Sequence, residues 1–102
     1  MQYTISYTKA AENDLRQITD YIALDDIDRA ITHVGTIRKE VSLLADFPNI
    51  GIEPKYYVLS DKNCQVLIID DYDAIYCIDE ANKVIEIRRI VHASKMHGVI
   101  NV

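Results

Sequence analysis

The residues best suited to chemistry lie near the C-terminal end of the sequence. Arg89, His92 and Lys95 place three basic side chains at the end of a strand-like run and just after it. A histidine changes charge near neutral pH and can act as an acid or a base. A guanidinium can hold a phosphate or a partner's carboxylate by two hydrogen bonds. Structural alternatives stay open: Arg89 can pair with a carboxylate of its own domain, and His92 can fix the last strand by hydrogen bonding. Lys95, like His97, can belong to a frayed tail with no fixed role, which is the interpretation we favour for both.

A metal site is the next possibility that the sequence raises. Asp70, Asp71 and Asp73 cluster at a turn, and His92 and His97 follow further along the chain. Carboxylates at such turns usually accept hydrogen bonds from the local backbone. The sequence has no His-Glu-x-x-His motif and no Cys–His ligand spacing. We therefore expect no metal ion and no cofactor.

A further group of candidate residues surrounds Tyr56 and Tyr57, with Lys55 and Lys62 beside them. Tyrosine rings next to lysines can stack on nucleic-acid bases. The same residues also fit a half-buried strand whose lysines extend their charged ends to solvent, and this is the interpretation we favour.

Composition and charge limit the partners of this chain. Its 102 residues fit a single domain over 1–102, and a composition of 49% hydrophobic and 26% charged residues is typical of a globular protein. The net charge of -5 repels nucleic acid overall, so such a partner would need a local basic patch. No apolar run is long enough for a membrane helix, and the first residues do not resemble a signal peptide. We expect a cytoplasmic domain without membrane contact.

The two cysteines, Cys64 and Cys77, lie in apolar runs typical of strands. In an unsecreted chain, two cysteines are more often buried thiols than a disulfide. A buried thiol packs as a small hydrophobic group. We therefore predict two buried thiols that are not bonded to each other.

Two amphipathic helices are predicted to form an antiparallel hairpin. The first covers residues 9–24 after the N-cap Thr8, and the second covers 27–45 after Asp25-Asp26. Apolar residues at helical spacing form the predicted core stripes: Ala11, Leu15, Ile18, Ile22, Ile27, Ile31, Val34, Ile37, Val41 and Leu44. The solvent side of the first helix is predicted to hold Glu12, Asp14, Arg16 and Asp20.

Strand-like patterns surround this hairpin. A first strand is predicted over 2–7, a loop over 47–54, and later strands over 55–59, 64–70, 73–79 and 84–91. The predicted fold is α+β: an N-terminal strand, an antiparallel helical hairpin and a four-stranded antiparallel meander, in the order β-α-α-β-β-β-β. The helices should cover one face of the sheet and leave the other partly open and concave.

Four segments in this order resemble the RelE/ParE toxin superfamily. They are the first helix at 11–18 with Tyr21-Ile22, the crossover with Leu44, Phe47-Pro48 and Gly51, the central hairpin at 66–79, and the last strand at 85–92. The resemblance covers nearly the whole chain. It implies an intracellular toxin of a type II toxin–antitoxin system of the plasmid-stabilisation type, which inhibits growth and is neutralised by a cognate antitoxin.

The superfamily implies two modes of action. Its RelE- and YoeB-like members cut mRNA on the ribosome, and its ParE-like members inhibit DNA gyrase without hydrolysis. Metal-independent RNA cleavage needs a base, an acid and a cation that stabilises the phosphorane. By resemblance, the reduced catalytic set in this chain would be Arg89, His92, Lys95 and Tyr56.

This chain departs from the superfamily's pattern at two places. Gln65 stands where many relatives carry an arginine, and an amide cannot hold a phosphate charge as a guanidinium does. Ser94 and Lys95 replace two arginines that often follow the last strand. These losses and the negative charge favour ParE-like gyrase inhibition over mRNA cleavage. A third alternative is a degenerate, non-toxic binding module.

All three alternatives include an antitoxin. Its wrapping segment can add a strand to an edge of the sheet or lay a helix into an apolar groove.

Overall fold

The computed structural model of the chain describes residues 2–54 and 63–93. Strand β1 (Thr4–Tyr7) precedes helices α1 (Lys9–Ala23) and α2 (Ile27–Ser42), a 3-10 turn (Leu43–Ala45), and strands β2 (Cys64–Ile69), β3 (Tyr72–Asp79) and β4 (Val84–His92). These bounds lie within a few residues of the predicted ones. The strand predicted over 55–59 lies outside the described residues. Within the described ranges, no helix is long and apolar enough to cross a membrane.

The four described strands form one sheet in the order β1-β4-β3-β2. Strands β2, β3 and β4 are an antiparallel meander, whereas β1 lies parallel to β4 with Tyr7 opposite Ile87. Parallel neighbours need a long crossover connection, and the helical hairpin lies within it. The predicted α+β class and the placement of the helical hairpin are confirmed.

Helix α1 is attached to the sheet through its N-cap residue, Thr8. The Thr8 hydroxyl accepts a hydrogen bond from the Ala11 amide at 3.1 Å and donates one to the Arg88 carbonyl at 2.9 Å. One side chain thus caps the helix and fixes its start against β4. Asp26 caps α2 in the same manner, accepting from the Arg29 amide at 3.1 Å.

The main core lies between the helices and one face of the sheet. It contains Ala11, Leu15, Ile37, Val41, Leu44, Leu67, Ile69, Ala74, Tyr76, Ile78, Ile85, Ile87 and Ile90. The prediction was wrong for Ile27 and Ile31, each of which is 65% exposed. Ile31 lies roughly a quarter turn from the centre of the buried stripe of α2, and Ile27 begins the helix at the hairpin tip.

The second face of the sheet is partly closed. By strand alternation it carries Val66, Ile68 and Ile75, of which Val66 and Ile75 are buried and Ile68 is 59% exposed. The expected open face is therefore limited to part of this surface. The open part includes Ile68 on β2, the last strand of the described sheet order.

Cys64 and Cys77 form a disulfide, so the prediction of two separate thiols was wrong. The two residues lie directly opposite each other in the β2–β3 register, with their Cα atoms 4.0 Å apart. Residues directly opposite on adjacent antiparallel strands place their side chains side by side on one face, which brings the two sulfur atoms together. The register depends on the β2–β3 turn and on the buried pattern of both strands. The number of cysteines in the sequence does not predict it.

Candidate functional site

A cleft of about 490 Å³ lies between α1 and the last residues of β4. Its walls include Asp14, Gln17 and Tyr21 from α1, Tyr72 from β3, and Arg89 and His92 from β4. The structure thus brings Arg89 and His92 together, two of the four residues proposed for catalysis. Tyr56 and Lys95, the other two, lie outside the described residues.

Arg89 is held by a carboxylate of its own domain. Its Nε donates to Asp14 Oδ2 at 2.8 Å and its Nη2 donates to Asp14 Oδ1 at 2.9 Å. The Ile90 amide also donates to Asp14 Oδ2, at 2.9 Å. The hydrogen bonds to Asp14 raise the pKa of Arg89. Of the two interpretations of Arg89, the internal ion pair is the arrangement that the structure contains.

Asp14 was predicted to face solvent, and this was wrong, since the residue is only 8% exposed. Strand β1 ends opposite Ile87, so no strand of the described residues lies beside the edge of β4 beyond that point. The Asp14 carboxylate takes up the Ile90 amide at this edge. A buried amide requires such an acceptor, which explains why a charged residue faces inward on α1.

An irregularity in β4 separates its two adjacent arginines. Tyr76 lies opposite Ile87 and Ile75 lies opposite Arg89, which makes Arg88 an extra residue at a β-bulge. Arg88 forms an ion pair with Glu86 on its own strand, whereas Arg89 reaches Asp14 on α1. The two neighbouring guanidinium groups are therefore committed to two different carboxylates.

Tyr72 stands between two histidines beside the cleft. Its ring centroid lies 5.2 Å from that of His92 in an edge-on arrangement, and 5.4 Å from that of His33 on α2. Burial raises the pKa of Tyr72, and the nearby Asp71 and Tyr21 raise it further. The phenol therefore keeps its proton at neutral pH, where it can donate a hydrogen bond but is a poor base.

Gln65, which replaces an arginine of many relatives, anchors the loop after α2. Its Oε1 lies 2.9 Å from the Tyr76 hydroxyl, and its Nε2 donates to Asn49 Oδ1 at 3.0 Å. The same hydroxyl lies 2.7 Å from the Pro48 carbonyl, so its single hydrogen can go to either acceptor, and it accepts a hydrogen bond from the Gly51 amide at 3.1 Å. Sequence reasoning noticed Gln65 and Gly51 separately and missed Tyr76, the residue that joins them.

The chemistry available in the cleft follows from these pairings. Both arginines of β4 already face a carboxylate, so neither presents an uncompensated charge to a phosphate. Over residues 2–54 and 63–93, no three histidine, cysteine, aspartate or glutamate side chains are grouped to hold a metal ion. The described part of the cleft is a surface of aromatic, aliphatic and polar side chains around a neutralised ion pair.

The sequence matches the family model of the ParE toxin of the type II toxin–antitoxin system parDE over residues 5–97. The match spans most of the chain, including both helices, strands β2, β3 and β4, and β1 from Ile5 onward. The chain therefore belongs to the ParE toxin family and is a toxin of a type II toxin–antitoxin system. Among curated proteins, none matches the sequence.

Solved structures share this fold at low sequence identity. A chain of the chromosomal ParDE toxin–antitoxin system from P. aeruginosa superposes with a TM-score of 0.72 at 22% identity, covering 89% of this chain and 96% of that one. The toxin–antitoxin complex RelBE2 from Mycobacterium tuberculosis gives 0.61 at 20% identity, covering 90% and 99%. A mutant of E. coli toxin RelE in the free state gives 0.64 at 13% identity, covering 93% and 87%. These likenesses confirm the predicted RelE/ParE-like fold.

Proposed function

We propose that this toxin arrests growth by binding and inhibiting DNA gyrase in the ParE manner, and that a cognate antitoxin neutralises it in the cytoplasm. The observation that carries the proposal is the ion pair between Arg89 and Asp14. Inhibition by binding needs a complementary surface and no reacting group. A neutralised guanidinium is compatible with that role.

Cleavage of RNA makes a different demand on the same residue. A cation that stabilises a phosphorane must be directed at the developing charge and must not be engaged elsewhere. Arg89 would first have to leave Asp14, and Asp14 would then remain as a largely buried, uncompensated carboxylate. Such a carboxylate costs several kcal/mol, on the order of 3, to leave unpaired. This cost supports inhibition by binding over cleavage.

The antitoxin part of the proposal rests on relatives and on one edge of the sheet. Structures of similar fold come from the ParDE system and the RelBE2 toxin–antitoxin complex. Among the described strands β2 lies at one end of the sheet, and on the side away from β3 the described residues contribute a single bridge to it, between Ile52 and Val66. Ile68 on the same strand is exposed. An extended antitoxin segment could pair there.

The test compares two activities of the purified protein. DNA supercoiling by gyrase is measured with increasing amounts of toxin, and mRNA integrity is measured in a translation extract under the same conditions. We expect inhibited supercoiling and intact mRNA. Cleaved mRNA with unaffected supercoiling would contradict the proposal, and overexpression without any growth defect would favour the non-toxic alternative.

A second candidate function is ribosome-dependent mRNA cleavage, which the shared cleft of Arg89 and His92 favours. It would use Arg89, His92, Lys95 and Tyr56. This candidate requires that His92→Ala or Lys95→Ala relieve growth arrest while the melting temperature stays unchanged. The gyrase proposal instead expects both variants to remain toxic.

A further inference from the structure

Four large apolar side chains are exposed together where the two helices meet. Tyr21 and Leu24 at the end of α1 are 76% and 86% exposed, and Ile27 and Ile31 at the start of α2 are each 65% exposed. We call these four residues the tip surface. Single exposed apolar residues are common, whereas several within one turn-linked segment typically mark a contact site.

The tip surface continues the wall of the cleft. Asp14, Gln17 and Tyr21 line the cleft at a spacing of three or four residues, and Leu24 is the next residue in that series. Residues at this spacing lie on one side of a helix. A partner that covers the cleft can therefore extend along α1 onto the tip without crossing to another face.

The surroundings of the tip surface are strongly acidic. Residues 20–31 contain Asp20, Asp25, Asp26 and Asp28 against one arginine, a net charge of -3 within a chain of net charge -5. The arginine, Arg29, already lies 3.9 Å from Asp25. Such a rim repels phosphates and acidic segments, and it attracts a surface rich in lysine and arginine.

We infer that the tip surface docks onto the basic, DNA-facing surface of the enzyme that this toxin inhibits. The inference rests on the proposed gyrase function. Enzymes that bind duplex DNA neutralise its phosphates with lysine and arginine side chains. The aspartates of the tip complement that charge, and the four apolar residues supply the buried centre that gives an interface most of its affinity. The toxin would then occupy part of the surface that DNA needs.

The apolar part is tested with the double variant Leu24→Ser/Ile27→Ser. Both side chains are mostly exposed, so the fold should tolerate the change. We expect at least about a tenfold rise in the toxin concentration that half-inhibits supercoiling. The matched control is Ile50→Ser, a 48% exposed isoleucine in the loop after α2, which should inhibit like the wild type. Melting temperatures of all variants verify folding.

The charged part is tested with Asp20→Asn/Asp28→Asn, which keeps the cap residue Asp26. We expect binding to gyrase to weaken and to become less sensitive to salt, because fewer charges are neutralised. The control pair is Glu40→Gln/Glu53→Gln, which removes the same charge at exposed positions away from the tip. Added duplex DNA should compete with wild-type toxin for gyrase.

The outcomes separate this inference from the proposed function. If the wild type inhibits supercoiling and Leu24→Ser/Ile27→Ser inhibits it equally, the tip inference is wrong and the gyrase proposal stands. If the wild type leaves supercoiling unaffected, the gyrase proposal fails and the tip inference fails with it. If the variant instead loses only self-association or antitoxin binding, a second copy or the antitoxin covers the tip, and the inference is overturned.

Discussion

The guanidinium of Arg89 and the carboxylate of Asp14 face each other in a two-point contact, with both N–O distances below 3 Å. The contact joins α1 to β4 across a separation of 75 residues. It holds the residue that resemblance proposes for phosphate chemistry in an internal ion pair. It also gives the carboxylate a second task, because Asp14 accepts the Ile90 amide.

Removing one partner of this ion pair should destabilise the fold, and removing both should cost less than the two single losses added together. We expect Arg89→Ala to lower the free energy of unfolding by about 3 kcal/mol, because it leaves a largely buried carboxylate unpaired. The double variant Asp14→Ala/Arg89→Ala should lose less than the sum of the two single variants. Chemical denaturation of the four proteins measures the coupling. Additive losses would show that the contact contributes nothing of its own.

Two glycines should respond to alanine in opposite directions. A Cβ at Gly51 would lie 2.5 Å from the Tyr76 hydroxyl, so Gly51→Ala should destabilise by about 1–3 kcal/mol through overpacking. A Cβ at Gly35, within α2, would meet no atom within 4 Å. Gly35→Ala should therefore stabilise by about 1 kcal/mol, since glycine is a poor helix former. The melting temperatures of both variants test this prediction, and equal changes in the two melting temperatures would contradict it.

Alkaline pH should weaken the fold through Tyr76. Burial raises the pKa of Tyr76 above its ordinary value of 10.0. The neutral phenol is thus favoured in the folded chain, and its stabilising contribution is complete below pH 10.0. The contribution is lost as the pH rises through the higher folded pKa, because the unfolded chain releases its proton first.

The measurement is the free energy of unfolding as a function of pH from neutral to alkaline conditions. Tyr76→Phe should be less stable at neutral pH, since it loses the contacts to Pro48 and Gly51, and should show a shallower alkaline decline. Part of the decline should remain, because burial also raises the pKa of Tyr7 and Tyr72. If the free energy of unfolding of Tyr76→Phe falls with pH as steeply as that of the wild type, Tyr76 is not the cause of the alkaline loss.

Reduction of the Cys64–Cys77 disulfide should destabilise the protein. The bond closes a segment with a sequence separation of 13. Closing a loop of this length stabilises a fold by about 3 kcal/mol in the chain-entropy model. We expect a lower melting temperature in reductant, and no effect of reductant on Cys64→Ala/Cys77→Ala. Two titratable thiols in the untreated, denatured protein would refute the bond itself.

The helices and strands were predictable because their patterns are local. A hydroxyl or carboxylate next to a helix start predicts the caps Thr8 and Asp26. Apolar residues at helical spacing predict the buried positions Ala11, Leu15 and Ile37. The resemblance to the RelE/ParE superfamily then supplied the arrangement of these elements. The family match confirms that assignment.

The parts that sequence reasoning missed depend on register. In the sequence, Asp14 cannot be distinguished from the other polar residues of α1, because the Ile90 amide that its carboxylate accepts belongs to a distant strand. Cys64 and Cys77 pair only because β2 and β3 align them. Tyr76 was assigned to a strand and not to the loop that it anchors. In each case the partner is far away in sequence, and no local periodicity encodes it.

The acceptor that Asp14 offers to Ile90 has a consequence for assembly. A foreign peptide that tried to lengthen the sheet along β4 beyond Ile87 would have to displace a charged group tethered by its own helix. That group is present at a very high effective concentration, which an external strand cannot match. Among the strands that the structure describes, strand addition is thus disfavoured along the part of β4 that extends beyond β1.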